Sequence, residues 1–259
     1  MHINVHHVAQ QGFTRGANLY EQVRPSYPTE VIDFLKSLSD ETPNVVVDIG
    51  AGTGKLTRLL GRLNANELIA IEPVAEMRGN LKNIPIITKI IDATAEKLPL
   101  DDHTVDILCC AEAFHWFATH SALAEFHRVL KPNGRLVLIW NSDDQTDKQW
   151  RIEIETYIQS FKPPGTNRYK AMEWKTVFDD QKYFSSLEVK QFKNFQKITR
   201  DLGIKRVLST SFIGALPPEE QAKVIEHIRQ ILDNAEEIRG INEFDIEHIT
   251  NVYWCSALP

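Results

Sequence analysis

A chain of 259 residues, 42% hydrophobic and 25% charged, has room for one α/β domain with a sizeable insertion, and this composition excludes wholesale disorder and a fibrous architecture. The formal charge of -6 argues against a surface built to neutralise phosphates, so nucleic acid is not the expected partner. Three cysteines, two of them adjacent at Cys109 and Cys110, match neither a disulfide framework nor a Cys-x-x-Cys pair; with no long apolar run and no signal-peptide pattern, a cytoplasmic protein without membrane contact is expected.

Taken in chain order, His2, His6 and His7 find no acidic or thiol partner at ligand spacing, so no metal is expected. Arg24-Pro25 and Tyr27-Pro28 fix an extended approach to a first helix starting near Thr29, whose apolar stripe is Val31, Ile32, Phe34, Leu35 and Leu38. From Val45 a βαβ grammar sets in. Its strands are expected at Val45 to Ile49, Leu68 to Glu72, Ile86 to Ile91, Val105 to Cys110 and Arg135 to Trp140, which implies a mainly parallel sheet covered on both faces. Ser121 to Leu130 reads as an amphipathic helix closed by the turn Lys131-Pro132-Asn133-Gly134.

Beyond Trp140 helices are expected at Gln149 to Ser160, Thr199 to Ser209 and Pro218 to Asn234, with strands at Leu187 to Phe192 and Ile249 to Leu258. The basic stretch Lys162 to Lys170 contains Pro163, Pro164 and Gly165 and reads as a solvated loop. These features divide the chain into a nucleotide-binding core over 1–141 and a helical cap with the last strands over 142–259.

The most informative stretch is Asp48-Ile49-Gly50-Ala51-Gly52-Thr53-Gly54, directly after a buried strand. Glycines there permit positive φ and close backbone approach to a ligand at a helix N-terminus. A dinucleotide fingerprint starting at Gly50 needs glycine where Lys55 stands, and a Walker loop ending at Gly54-Lys55 needs glycine at Ile49 and Ser or Thr at Leu56. Both frames fail. What survives resembles motif I of the class I S-adenosylmethionine-dependent methyltransferases, small-molecule branch, similar to the trans-aconitate and juvenile hormone acid enzymes.

That resemblance implies a Rossmann-like doubly wound sheet of seven strands, mostly parallel with an antiparallel last strand and a helical C-terminal cap insertion. It also implies S-adenosyl-L-methionine as cofactor. Asp48 would orient the loop or meet the methionine amino group, with Gly50, Ala51, Gly52 and Gly54 cradling the ligand. Glu72, about twenty residues past the loop at a strand end, can accept both hydrogen bonds of a ribose diol. Thr94 and Ala95, within the Ala-Glu-x-Leu-Pro-like turn after the third strand, would face the adenine edge, with Asp92 as rival. Ala111 would contact the cofactor after the fourth strand.

The run Ala111-Glu112-Ala113-Phe114-His115-Trp116-Phe117 is close to one found in the small-molecule branch. His115 is the expected base or acceptor-orienting donor, against a packed histidine as the rival reading, and Trp116 is an aromatic wall. The segment Tyr20 to Pro28 is similar to a lid found in relatives, in which Tyr20 lines the cleft and Arg24 meets the methionine carboxylate or an anionic substrate. Methyl transfer to a small-molecule acceptor is therefore expected, with carboxylic acids as one subclass. A nucleic-acid methyltransferase and a non-catalytic cofactor-binding protein stand as alternatives. The sequence is silent on oligomeric state.

Overall fold

The computed structural model describes residues 19, 21–39, 41–142, 148–163 and 172–259. Strand β1 (Val45–Ile49) is buried along its whole length, so its β-branched run serves two cores at once. Val45, Val47 and Ile49 point to one face, where Phe114, Phe126, Trp140 and Trp174 pack; Val46 points to the other, against Val31, Leu35, Leu56 and Leu60. Helices α1 (Glu30–Lys36) and α2 (Lys55–Leu60) supply that second face. Each such apolar side chain contributes roughly 1.5–3 kcal/mol relative to exposure.

The remaining core elements are β2 (Glu67–Ile71), α3 (Ala75–Leu81), β3 (Lys89–Ile91), β4 (Val105–Ala111), α4 (His120–Val129) and β5 (Leu130–Ser142). After α5 (Gln149–Gln159) come β6 (Glu188–Thr199), α6 (Arg200–Leu208), α7 (Ser211–Gly214), α8 (Pro218–Asn234) and β7 (Glu243–Ser256). The seven strands form one sheet in the order β3-β2-β1-β4-β5-β7-β6. β7 runs antiparallel to both β5 and β6, and the other pairings are parallel. Strand order reverses between β1 and β4, which opens a crevice at their carboxyl ends.

A third core lies under the C-terminal helices, where Trp150, Ile158, Val207, Ile213, Val224 and Ile228 pack together with Ile198 of β6. Thr199 caps α6 through its hydroxyl, 3.1 Å from the Leu202 amide. Thr29 makes no such side-chain cap for α1.

Several strand limits also shift. β3 starts at Lys89 rather than Ile86, because 84–88 turn before pairing and Ile86 is left 44% exposed. β5 starts early: Leu130 already pairs with Val105, and a register shift accommodates the Lys131 to Gly134 turn. β6 and β7 pair over Glu188–Thr199 and Glu243–Ser256, well beyond the runs legible in sequence. Among the described residues no helix is long and apolar enough to cross a membrane.

Candidate functional site

The glycine loop leaves β1 at the switch point. Gly50, Gly52 and Gly54 take φ of 65°, 57° and 88°, a region costly for L side chains. Gly50 and Ala51 both donate their amides to the Ile71 carbonyl at the end of β2, at 2.8 and 3.1 Å. A Cβ at Gly50 would lie 2.8 Å from Cβ of Ala113, and one at Gly52 would meet only the Met77 sulfur at 3.6 Å. A Cβ at Gly54 would strike the buried Ile84 side chain and come within 3.0 Å of Leu81.

The sequence placed Gly54 in the ligand cradle; in the structure it packs against Ile84 and Leu81 and lets α2 start hard against the α3 turn. Gly54→Ala is expected to lower unfolding free energy by about 2 kcal/mol, from left-handed strain and core crowding. Urea unfolding checks this, and a loss below about 0.5 kcal/mol would contradict the crowding.

One cavity runs along the carboxyl edge of the sheet. Asp48, Gly50, Ala51, Gly52, Glu72, Thr94, Ala95 and Ala111 all line it. Asp92 does not: its carboxylate is exposed and accepts a hydrogen bond from Arg78 at 2.7 Å. Asp48 is fully buried; its Oδ2 accepts from the Thr57 hydroxyl at 2.6 Å, while Oδ1 has no partner. Burial, opposed by the Thr57 hydrogen bond and aided by the charge of Glu72, pushes its pKa up to about 7. Glu72 Oε2 accepts the Gly52 amide and Oε1 the Val74 amide, both at 2.8 Å. Burial raises its pKa against the pull of those two amides.

The segment from Glu21 to Tyr27 crosses this edge as a strap. Glu21 holds the glycine loop through the Thr53 hydroxyl and an ion pair with Arg58 at 3.1 Å, and its carbonyl accepts from Lys55 Nζ at 2.6 Å. On the far side Gln196 donates to the Val23 carbonyl and Asn194 to that of Ser26, at 2.8 and 2.7 Å. Arg24 Nε donates to the Ser209 hydroxyl at 2.9 Å and Nη2 to that of Thr210 at 3.2 Å, while the residue also lines the cavity. Tyr20, His2, His6, His7 and Lys170 lie outside the described residues, as does the loop over 164–171. Among the described residues no group of His, Cys, Asp and Glu could hold a metal ion.

After β4, Glu112 adopts a left-handed φ of 56°, uncommon for a non-glycine residue, and its Oε1 accepts the Asn141 amide at 2.6 Å. Trp116 and Phe117 reach the cavity wall, but His115 does not. The His115 Nδ1 accepts from the Trp140 indole N–H at 3.2 Å, and its ring packs on Trp116 with centroids 4.9 Å apart. Burial, with Lys162 adding repulsion, depresses its pKa to about 4. A neutral imidazole whose Nδ1 lone pair is engaged leaves Nε2–H as a donor.

The folded pKa lies below the unfolded value near 6.5, so stability is lost as pH falls through about 6.5 toward 4, by up to roughly 3 kcal/mol. His115→Gln should remove that acid sensitivity. Unfolding free energies measured near pH 5 and pH 7 in both proteins decide, and the same acid loss in the variant would rule this out.

The structure adds the wall residues Met77, Asn141 and Arg206, which no sequence motif marked, and brings Tyr27 of the lid-like segment and Glu112 of the run after β4 to the same wall. Asn141 stands one residue before the end of β5, and Arg206 belongs to α6.

A sequence profile described as a methyltransferase domain matches residues 47–138. An uncharacterized methyltransferase-like protein of Schizosaccharomyces pombe is 30% identical over 242 residues, 93% of each chain. A solved structure from Anaeromyxobacter dehalogenans, described as a candidate type II methyltransferase, superposes with a TM-score of 0.70 at 20% identity, covering 91% of this chain and 99% of the other. Phosphoethanolamine N-methyltransferase 2 of Haemonchus contortus, solved with phosphomonomethylethanolamine and S-adenosylhomocysteine, gives 0.52 at 14% identity, covering 96% of this chain and 61% of that one.

Proposed function

Because this chain belongs to the class I S-adenosylmethionine-dependent methyltransferase family, we propose that it methylates a small-molecule acceptor, with an organic acid as the favoured class. The observation that carries cofactor binding is the unpartnered Oδ1 of Asp48, a residue that lines the same cavity as Gly50 to Gly52 and Glu72. A buried polar atom without a partner is costly and marks a place where a ligand donor fits. Here an ammonium suits Asp48, a ribose diol suits the remaining lone pairs of Glu72, and an adenine edge suits the turn at Thr94 and Ala95.

S-adenosylmethionine supplies an electrophilic methyl group on a sulfonium. The protein's own contribution is to orient, to exclude water and to set charge. Asp48 and Glu72 fix the cofactor end. The strap closes the edge over the loop, and Trp116 and Phe117 wall off solvent near the β4 end. His115 stands off the wall with its Nδ1 engaged, which favours an acceptor ionised without a base, as a carboxylate is near neutral pH. Arg24 is the lid residue we assign to the methionine carboxylate or to an acidic acceptor.

The three cysteines Cys109, Cys110 and Cys255 are buried and unpaired, and we place the protein in a reducing compartment, the cytoplasm. Incubation with methyl-labelled S-adenosylmethionine and a small-molecule extract tests this function. Label recovered in a low-mass product supports it. Label recovered only in nucleic acid would move the assignment to the polynucleotide branch. Cofactor binding without transfer to any compound would reduce the protein to a binder.

A further inference from the structure

We propose that Arg206 is the specificity-determining residue of this site, holding an anionic oxygen group of the methyl acceptor; this rests on the methyltransferase reading above. Arg206 lines the cavity, and its position is set by two strands far from the cofactor loop. Its Nη1 lies 3.1 Å from Oε1 of Gln196 on β6 and 3.0 Å from Nε2 of His248 on β7. In the sheet order β7 stands four places from β2, which carries the chain to Glu72. At about 4.8 Å per strand that is roughly 19 Å across the sheet. The carboxylate suited to the ribose and the guanidinium of Arg206 thus line one cavity from opposite sides of the point where strand order reverses.

The groups that aim Arg206 are themselves fixed. Gln196 donates to the Val23 carbonyl of the strap at 2.8 Å. His248 is 1% exposed, and since a guanidinium only donates, its Nε2 accepts and the imidazole is neutral. Beside them Asn141 Oδ1 accepts from the Thr250 hydroxyl at 2.6 Å and from Asn194 at 3.1 Å, and Thr250 is fully buried. A dense polar network costs desolvation where an apolar core would pack, so its concentration around one arginine on a cavity wall points to ligand recognition. The charge of Arg206 persists at every physiological pH, and its planar fork matches a carboxylate or a phosphate. Tyr27, Trp116 and Phe117 on the same wall fit the apolar body of such an acid.

The test splits a metabolite extract on an anion exchanger near neutral pH and assays each fraction for transfer from methyl-labelled S-adenosylmethionine. Acceptor activity is expected in the retained fraction. With the acceptor purified from it, Arg206→Gln should raise KM by about 30-fold or more while S-adenosylhomocysteine affinity stays within about threefold of the unsubstituted protein. Arg206→Lys, which keeps the charge but not the fork, should fall between them; should Arg206→Gln fail to fold, the same KM comparison on Arg206→Lys decides. Acceptor activity confined to the unretained fraction, an unchanged KM, or an equal loss of S-adenosylhomocysteine affinity would overturn the assignment. A protein that binds S-adenosylhomocysteine yet labels no fraction defeats the methyltransferase reading itself, and the role of Arg206 falls with it.

Discussion

Asp48→Asn is expected to stabilise the cofactor-free protein near pH 8 by about 1–3 kcal/mol and to weaken S-adenosylhomocysteine binding at least about tenfold. Asp48 is fully buried, with one oxygen satisfied by Thr57 and the other unpartnered, and its pKa sits at about 7. The unfolded chain titrates this group near 3.9, so the folded state binds the proton more tightly. The contribution of Asp48 to stability is therefore greatest below about pH 4 and falls as pH rises through 7, by up to roughly 4 kcal/mol. An asparagine removes that penalty but leaves an unpaired amide N–H, which costs about 1–3 kcal/mol and sets the smaller net gain.

Binding reverses the balance, because the ligand's ammonium favours the ionised carboxylate. Below about pH 7 binding should release up to one proton per ligand, visible by calorimetry in buffers of different ionisation enthalpy, and affinity should fall with pH. In Asp48→Asn both effects should vanish. A wild-type affinity flat between about pH 6 and 8 would remove Asp48 from the amino-group site.

Legibility in the sequence followed burial. β1 is buried on both faces, and its run Val45 to Ile49 was readable to the residue. β6 is an edge strand, exposed or half-exposed along most of its length, and carries Lys193 and Lys197 on its exposed face. Edge strands need not look hydrophobic, so only the stretch from Leu187 to Phe192 registered as a strand. Asp48, the loop and Glu72 were legible because a nucleotide loop demands local spacing.

Asn141 and Arg206 carry no such signature. They reach the cavity only because β5, α6, β6 and β7 converge in space, over sequence separations that no motif spans. His115 is the reverse case. Its aromatic-flanked motif attracted a catalytic reading, while its ring sits off the cavity wall with Nδ1 taken by the Trp140 indole. A sequence shows which residue types gather, but it does not show which way a ring turns at the end of a strand.

Glu72→Ala is expected to lower S-adenosylhomocysteine affinity by about 100-fold or more, the largest effect on binding of any substitution considered. The carboxylate has two tasks at once. Each oxygen already accepts one backbone amide, from Gly52 and from Val74, and these bonds fix the loop and the start of α3. An ionised carboxylate offers about four lone-pair sites, so two remain for a ribose diol. Removing it costs two charge-assisted bonds to the ligand, each about 1.5–3 kcal/mol, and frees the Gly52 amide that shapes the cradle.

Glu72→Gln separates the tasks. It keeps the length of the side chain but places an NH2 against one of the two amides, so both the loop and the ligand lose an acceptor. Its affinity should fall less than that of the alanine variant, by about tenfold, and its unfolding free energy should drop by about 1–2 kcal/mol. Titration calorimetry with S-adenosylhomocysteine and urea unfolding on both variants give the comparison. If Glu72→Ala bound within threefold of the unsubstituted protein, the carboxylate would be a prop for the loop alone, and the ribose would have to be sought elsewhere on the wall.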